Sequence, residues 1–252
     1  MEKPKISVTI LTKNSQKYLP EVLNALTLFN EVLICDTGST DQTLEIARKF
    51  PNVTIHCCPF IGFGPTHNVA SNLARNDWIL SIDSDEVATS EMVEEIFQTA
   101  LNKGSVYSFP RDNYYKGKWI RWCGWYPDRQ IRLYHRGKTQ FSDAQVHEGV
   151  MAEGMQHVTL KGSMKHYSYE TVSDFLDKMQ SYSTLFAKQY RHQKKSSISK
   201  AVLHGFFAFF KSYVLKRGFM GGREGLEISI YNGNTAFYKY LKLAEANRLP
   251  PC

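Results

Sequence analysis

The fold and the chemistry of this chain are indicated by one stretch, Trp78-Ile79-Leu80-Ser81-Ile82-Asp83-Ser84-Asp85-Glu86. An apolar strand ends here in two carboxylates, Asp83 and Asp85, which are separated by a single residue. Burial of bare carboxylates at a strand end is costly unless a cation or hydrogen bonds compensate. A divalent ion shared with substrate phosphates supplies that compensation, so the pattern predicts a site for a metal-bound nucleotide diphosphate. The alternative is a solvated acidic turn before a helix that Thr89 caps.

Strand and helix patterns alternate along the first part of the chain. Apolar and β-branched residues predict strands at residues 6–11, 32–35 and 53–56, and a helical pattern follows each of them. This alternation predicts an α/β fold with a mostly parallel sheet and helices on both faces. In such sheets ligands bind outside the carboxyl ends of the strands. The polar residues at those ends are Thr12, Asp36 and the Asp83/Asp85 pair.

Several motifs of this sequence resemble those of the family 2 inverting glycosyltransferases of the GT-A fold. The matching pieces are residues 8–14, 35–41, 62–64, 82–86, 125–134 and 146–148. Their order and spacing are most similar to the branch that includes lipopolysaccharide inner-core β-glucosyltransferases. The resemblance runs from about residue 5 to the C-terminus and implies a Rossmann-like GT-A sheet. His67 departs from the family pattern, which has Lys or Arg there, and this weakens a phosphate-binding role for residue 67.

The length of 252 residues suits one α/β domain with an appendage, or two small lobes that share a cleft. Residues 1–168 are expected to form the GT-A catalytic domain, with a nucleotide-sugar half at 1–104 and an acceptor half at 105–168. Residues 169–252 are expected to form a helical C-terminal extension that includes a membrane-surface element. A capping box that begins at Thr171 predicts the start of its first helix.

The donor side of the site is assigned by the same resemblance. Asp85 is expected to contact the metal directly, and Asp83 to contact the ribose or to reach the metal through water. The other nucleotide-sugar contacts are expected from Thr12, Asn14, Asp36 and Asn68. The two asparagines are the weaker candidates, because polar residues at such places often only cap helices.

An inverting transfer needs a carboxylate within hydrogen-bond reach of the attacking hydroxyl. The resemblance favours Glu148, in Val146-His147-Glu148, as this base, and Asp128 is the alternative. GT-A enzymes often complete the metal site with a histidine after the base, and His166 fits this place, with His147 as its competitor. A mixed oxygen and nitrogen site suits manganese and a pure oxygen site suits magnesium, so Mg²⁺ or Mn²⁺ is the expected cofactor.

Composition narrows the class of protein. An apolar fraction of 42% is enough for a packed core, and five cysteines without disulfide or zinc spacing indicate free thiols in a reducing cytosol. The N-terminus lacks the apolar core of a signal peptide, so export is not expected. A net charge of +7 suits nucleic acid, an anionic membrane or an acidic substrate as partner. The basic residues concentrate between residues 188 and 223.

An apolar, aromatic segment lies within this basic region, at residues 201–217. It is too short and too polar to span a bilayer that is roughly 30 Å thick. Aromatic residues bordered by cations suit a helix that lies on an anionic membrane surface. A buried helix is the alternative, because periodicity does not distinguish the two.

These features together predict an inverting glycosyltransferase that transfers a hexose from a UDP-sugar donor. The resemblance implies glucose from UDP-glucose and a lipid-linked saccharide acceptor, the lipopolysaccharide inner core. The enzyme is expected to associate peripherally with the cytoplasmic face of the inner membrane, and no nucleic acid partner is expected. Two alternatives stay open: a retaining GT-A enzyme with a small soluble acceptor, and a non-catalytic basic protein that binds membrane or nucleic acid.

Overall fold

The computed structural model describes residues 4–143 and 149–248, and the chain falls into two compact units. Unit 1 comprises Met1–Asp112 and Asp128–His166, and unit 2 comprises Asn113–Pro127 and Tyr167–Cys252. The boundary predicted at residue 168 divides the chain by function, whereas these units are defined by packing. That boundary therefore stays a prediction.

Unit 1 begins with four strands that alternate with helices. In chain order these elements are β1 Ile6–Thr12, α1 Leu19–Ala25, β2 Glu31–Asp36, α2 Thr43–Ala47, β3 Val53–Cys57, α3 Phe63–Leu73 and β4 Trp78–Asp83. The strand order is β3-β2-β1-β4, and each neighbouring pair is parallel. Almost every residue of β1 and β2 is buried, as is usual for parallel strands that are covered on both faces. The predicted α/β class is confirmed.

The carboxyl ends of the parallel strands meet at one edge of the sheet. The strand register pairs Thr12 with Asp36 across β1 and β2. It also pairs Leu11 of β1 with Asp83 of β4. The prediction that these strand ends are neighbours is therefore confirmed.

Further strands extend the sheet beyond β4. The next elements are β5 Glu86–Ala88, α4 Ser90–Gln98, β6 Ser105–Tyr115, β7 Lys118–Trp119, β8 Arg129–His135, β9 Gln156–Thr159 and β10 Met164–Tyr169. β8 runs antiparallel to β4, and β6 runs antiparallel to β8. β5 and β10 are antiparallel, with Glu86 opposite His166. Thr89 caps α4 as predicted, because its hydroxyl accepts a hydrogen bond from the Met92 N–H at 3.2 Å.

Unit 2 is mainly helical. Its helices are α5 Val172–Tyr190, α6 Ile198–Phe210 and α7 Gly222–Ala246, with a π-helical turn at Lys211–Leu215 and a 3-10 turn at Gly218–Gly221 between the last two. The predicted capping box of α5 is confirmed, since Thr171 and Asp174 each accept a hydrogen bond from the other's backbone N–H. In the described ranges, no helix has the length and apolar character that crossing a membrane requires.

Aromatic rings form the core of unit 2. Tyr115 and Phe175 are both buried, and their ring centroids are 4.8 Å apart. Phe175 also stacks on Tyr231 at 4.5 Å and meets Trp125 edge to face at 6.3 Å. These contacts attach the start of α5 to α7 and to residues 113–127.

Candidate active site

The side chain of Glu86 closes the turn that follows β4. This carboxylate is completely buried, and its Oε2 accepts a hydrogen bond from the backbone N–H of Asp83 at 3.1 Å. Burial raises the pKa of Glu86 above its usual value, although the neighbouring Arg132 and Arg111 oppose the rise. The hydrogen bond restrains the turn that carries both Asp83 and Asp85.

Arg132 of β8 joins the first and last carboxylates of this turn. Its Nη2 donates to Asp83 Oδ2 at 2.5 Å and also donates to Glu86 Oε1. The guanidinium is almost completely buried, and within the described part of the chain its Nε has no hydrogen-bond partner. Its position therefore depends on these two carboxylates. Burial raises the pKa of Asp83, but the charge of Arg132 outweighs it and holds the pKa well below the usual range.

A second arginine extends the network to Asp128. Arg111 of β6 has its Nη1 3.2 Å from Glu86 Oε1. Its Nε and Nη2 both bind Asp128 Oδ2 at 2.8 Å. The other oxygen of Asp128 accepts a hydrogen bond from the side-chain amide of Gln130 at 2.8 Å. Both oxygens of this candidate base are thus engaged in hydrogen bonds with neighbouring side chains.

Asp85 and His166 lie side by side at the same edge. Asp85 Oδ2 is 3.5 Å from His166 Nε2, and the Asp85 side chain is 40% exposed. In residues 4–143 and 149–248, no group of three or more His, Cys, Asp or Glu side chains is arranged to hold a metal ion. Two protein ligands nevertheless fit an ion that takes its other ligands from substrate phosphates and water, as Mg²⁺ usually does. The imidazole nitrogen also allows Mn²⁺.

Asp36 organises the loop that follows β2. Its carboxylate accepts hydrogen bonds from Thr12 Oγ1 at 2.8 Å, from Ser39 Oγ at 2.5 Å, and from the Gly38 and Ser39 N–H groups at 3.0 and 2.9 Å. Burial raises the pKa of Asp36, but these hydrogen bonds outweigh it and lower the pKa below the usual value. Thr12 and Asp36 therefore form a rigid pair at the strand ends. Their contacts with the nucleobase or ribose stay a prediction.

The side chains of Asn14 and Asn68 each connect two loops. Asn14 Oδ1 accepts a hydrogen bond from the Thr40 N–H at 2.8 Å, which ties the loop after β1 to the loop after β2. Asn68 of α3 exchanges two hydrogen bonds with the backbone of Phe141, at 2.8 and 3.0 Å. Both amides thus stabilise loops, and their contacts with a nucleotide sugar stay predictions.

His67 is buried inside unit 1. Its ring stacks on Phe141 with centroids 4.3 Å apart, and its Nδ1 is 3.2 Å from Ser81 Oγ. Burial lowers the pKa of His67 to about 4, so the ring is neutral at neutral pH. A neutral, buried imidazole provides no charge for a phosphate, which agrees with the departure from the family pattern at this residue.

Two of the predicted residues, His147 and Glu148, lie outside the described residues. The backbone on either side is described, and the Ser142 N–H donates to the Gly149 carbonyl at 2.9 Å. The roles of His147 and Glu148 in metal binding and proton transfer stay predictions.

Three residues of the charged network, Glu86, Arg111 and Arg132, were not predicted as site residues. They meet because β8 and β6 follow β4 in the sheet, an order that the sequence pattern does not reveal. One signal was present in the sequence, since Arg132 interrupts an apolar strand between Ile131 and Leu133. An arginine in such a strand is buried only when it has a charged partner.

Comparison with known proteins identifies the family. The model described as Glycosyl transferase family 2 matches residues 7–155. The chain belongs to this family. A similar curated protein is an uncharacterised glycosyltransferase of Rickettsia typhi, 27% identical over 260 residues that cover 97% of this chain and 87% of that protein. The lipopolysaccharide core biosynthesis glycosyltransferase LpsC of Rhizobium meliloti is 25% identical over 257 residues, covering 95% of this chain and 93% of LpsC.

A solved structure supports the fold. The mannosyltransferase PcManGT of Pyrobaculum calidifontis, in complex with GDP-Man and Mn²⁺, is 14% identical and has a TM-score of 0.52. The match covers 91% of this chain and 74% of that chain, and it concerns the fold alone. The GT-A fold with additional C-terminal helices is confirmed, and the chain is a family 2 glycosyltransferase, as predicted.

Proposed function

We propose that this glycosyltransferase is metal-dependent and inverting, and that it transfers glucose from UDP-glucose. The observation that carries the proposal is the Asp83–Glu86 turn at the carboxyl edge of the parallel strands, with Asp85 Oδ2 3.5 Å from His166 Nε2. In open α/β sheets this edge is where ligands bind. An exposed carboxylate beside an imidazole suits a divalent ion that also binds the donor phosphates.

Preorganisation of the turn is the main contribution of the protein to this chemistry. Bound by Asp85 and His166, a divalent ion supplies positive charge to the departing diphosphate. Glu86 and Arg132 restrain the turn, so that Asp85 is in place before the donor arrives. Groups that are already in place need no reorganisation during the reaction, which is what makes electrostatic stabilisation effective.

For the acceptor hydroxyl we propose Glu148 as the general base. Asp128 is less suited, because Arg111 and Gln130 occupy both of its oxygens. The base removes the hydroxyl proton while the oxygen attacks the anomeric carbon opposite the diphosphate, which inverts the configuration.

Turnover of UDP-sugars tests the reaction. UDP release from UDP-glucose should require Mn²⁺ or Mg²⁺ and stop when the metal is chelated, with UDP-galactose and UDP-N-acetylglucosamine as comparison donors. NMR of the product should show the β-anomer. UDP release that is insensitive to chelation would contradict metal dependence, and an α-linked product would favour the retaining alternative.

The proposed acceptor is a lipid-linked saccharide, the inner core of lipopolysaccharide. LpsC, whose similarity extends over 95% of this chain, is named for lipopolysaccharide core biosynthesis. An acceptor of this kind is held at a membrane, so the enzyme must reach a membrane surface.

One face of α6 supports such a surface contact. Its exposed apolar side chains recur at helical spacing, namely Ile198, Val202, Leu203, Phe206, Phe207 and Phe210. Leu203 and Phe206 are 68% and 69% exposed, and a contiguous apolar face of this kind marks an interaction site. The opposite face packs on α7 so closely that a Cβ atom at Gly205 would lie 2.9 Å from Phe237 Cβ.

The charge around this face suits an anionic surface. Residues 188–223 contain no Asp or Glu and nine basic residues, namely Lys188, Arg191, Lys194, Lys195, Lys200, Lys211, Lys216, Arg217 and Arg223. Apolar side chains bordered by cations bind the interface of anionic bilayers, and each nearby cation contributes about 1 kcal/mol. We therefore propose peripheral association with the cytoplasmic face of the inner membrane.

Co-sedimentation with liposomes tests the membrane contact. The protein should pellet with anionic vesicles at low salt and stay in the supernatant at high salt, because salt screens the attraction. Leu203→Glu should abolish pelleting, whereas Leu28→Glu, at a leucine of unit 1 that is 59% exposed, should not. Equal recovery in the supernatant with and without anionic vesicles at low salt would contradict the membrane contact and favour a soluble acceptor.

A further inference from the structure

We propose that Arg132 makes metal binding at the Asp83–Glu86 turn depend on the nucleotide. In this role Arg132 is a positioning residue that neutralises Asp83 and prevents this carboxylate from acting as a second metal ligand. Because the role presupposes a metal at Asp85, it rests on the proposed function.

Arg132 and a metal ion would compete for the same carboxylate. Arg132 Nη2 lies 2.5 Å from Asp83 Oδ2, and Asp85 is two residues further along the same turn. The guanidinium is almost completely buried, so water and salt screen its charge only weakly. A divalent ion at Asp85 therefore finds the carboxylate two residues away already paired with a buried guanidinium.

The charges of the network agree with weak binding of the metal ion when no nucleotide is present. The carboxylates of Asp83, Glu86 and Asp128 are opposed by the guanidiniums of Arg111 and Arg132. Two of these three negative charges are thus compensated within the protein. A nucleotide diphosphate brings further negative charge and several oxygen ligands, so it supplies what the turn lacks.

The network also keeps Arg132 in place. Its second acceptor, Glu86, is completely buried and also accepts hydrogen bonds from the Asp83 N–H and from Arg111. Movement of Arg132 away from Asp83 would break a buried, charged cluster, which is costly. The metal and the nucleotide should therefore bind cooperatively, and each should raise the affinity of the other by the same factor.

Mn²⁺ binding to the full-length chain tests this proposal, with the free ion measured by electron paramagnetic resonance with and without UDP. In the wild type, UDP should tighten Mn²⁺ binding by at least about tenfold. The double variant Arg132→Met/Glu86→Gln removes one charge of each sign and leaves no unpaired Glu86 in the interior. Without UDP, this variant should bind Mn²⁺ about tenfold more tightly than the wild type does. UDP should then increase its Mn²⁺ affinity by a smaller factor than in the wild type.

A triple variant and a control variant test whether the gain in Mn²⁺ affinity comes from Asp83. Adding Asp83→Asn to the double variant should remove the gain in Mn²⁺ affinity, because Asp83 is then no longer a carboxylate ligand. Arg75→Met serves as the control, since Arg75 pairs with Glu31 at the start of β2 and is mostly exposed. This variant should bind Mn²⁺ like the wild type.

The outcomes distinguish the role of Arg132 from the metal site on which it rests. If the wild type binds Mn²⁺ with UDP but the folded double variant binds Mn²⁺ alone no more tightly than the wild type, the role of Arg132 is wrong and the metal site stands. If the wild type does not bind Mn²⁺ even with UDP, both are wrong. Should the double variant fail to fold, Arg132→Gln replaces it, because glutamine removes the positive charge and keeps a hydrogen-bond donor for Asp83 or Glu86. Unchanged Mn²⁺ affinity and UDP coupling in a folded Arg132→Gln would overturn the role.

Discussion

Asp85→Asn and Glu86→Ala change neighbouring residues of one turn, and their effects on stability should differ sharply. Asp85→Asn should remove transfer activity and leave the free energy of unfolding almost unchanged. Glu86→Ala should lower the free energy of unfolding severely. The difference follows from the surroundings of the two carboxylates.

Asp85 contributes little to folding. Its side chain is 40% exposed, and its Oδ2 lies 3.5 Å from His166 Nε2. A solvent-accessible carboxylate with so long a contact contributes roughly 0–1 kcal/mol, so the free energy of unfolding should fall by no more than that. Loss of one preorganised group that stabilises the departing charge typically costs about 10²–10³ in turnover, and the loss of a metal ligand should cost at least as much.

Glu86 is the centre of the buried network. It contacts Arg132, Arg111 and the Asp83 N–H, and water does not reach it. Its removal leaves Arg132 in the interior with one partner fewer, and breaking a buried ion pair costs about 3–5 kcal/mol.

Urea unfolding followed by circular dichroism measures the free energy of unfolding, and metal-dependent UDP release measures transfer. Glu94→Ala, at an exposed glutamate of α4, should change neither quantity and serves as the control. Near-normal turnover of Asp85→Asn with saturating donor would refute the assignment of Asp85. A loss of stability in Asp85→Asn as large as that in Glu86→Ala would refute the structural part of the reasoning.

Glu148→Gln should bind UDP-glucose and metal in calorimetry but lose transfer, because an amide cannot accept the hydroxyl proton. Full activity of this variant together with an inactive Asp128→Asn would assign the base to Asp128. The free energy of unfolding should decrease as the pH falls from about 6.5 to about 4, because over this range His67 is protonated in the unfolded state and neutral in the folded state. The decrease should reach up to about 3 kcal/mol, and the same pH dependence in His67→Gln would contradict it.

Much of unit 1 could be predicted because its parallel strands are continuous apolar runs. The strands expected at residues 6–11 and 53–56 correspond to β1 and β3, and each differs by a single residue at its end. Parallel strands joined by helices bring their carboxyl ends to one edge, so the Asp83–Glu86 turn and Asp36 could be placed together. The helix caps at Thr89 and Thr171 could also be predicted, because they depend only on nearby sequence.

The charged network could not be predicted because it depends on strand order. Arg132 reaches Asp83 only because β8 lies beside β4 with Leu133 opposite Leu80. In the sequence the acidic end of the turn also fits a solvated surface, and nothing local reveals that Glu86 is buried. Asn68 illustrates the same limit, since its partner Phe141 is 73 residues away.

The sequence also did not decide whether α6 is buried or lies on a membrane surface. An apolar helix with cations at its ends has the same pattern whether it is buried or lies on a membrane. The difference depends on which neighbours cover it, and α7 covers only the face that contains Ala201 and Gly205.

The most direct test of a metal-dependent nucleotide site at the Asp83–Glu86 turn is thermal unfolding with UDP and Mn²⁺, added singly and together. Ligands that bind the native state raise its melting temperature. We expect a large rise in the wild type only when both are present, and no such rise in Asp85→Asn. An equal rise with UDP alone, or the same rise in Asp85→Asn, would contradict the site.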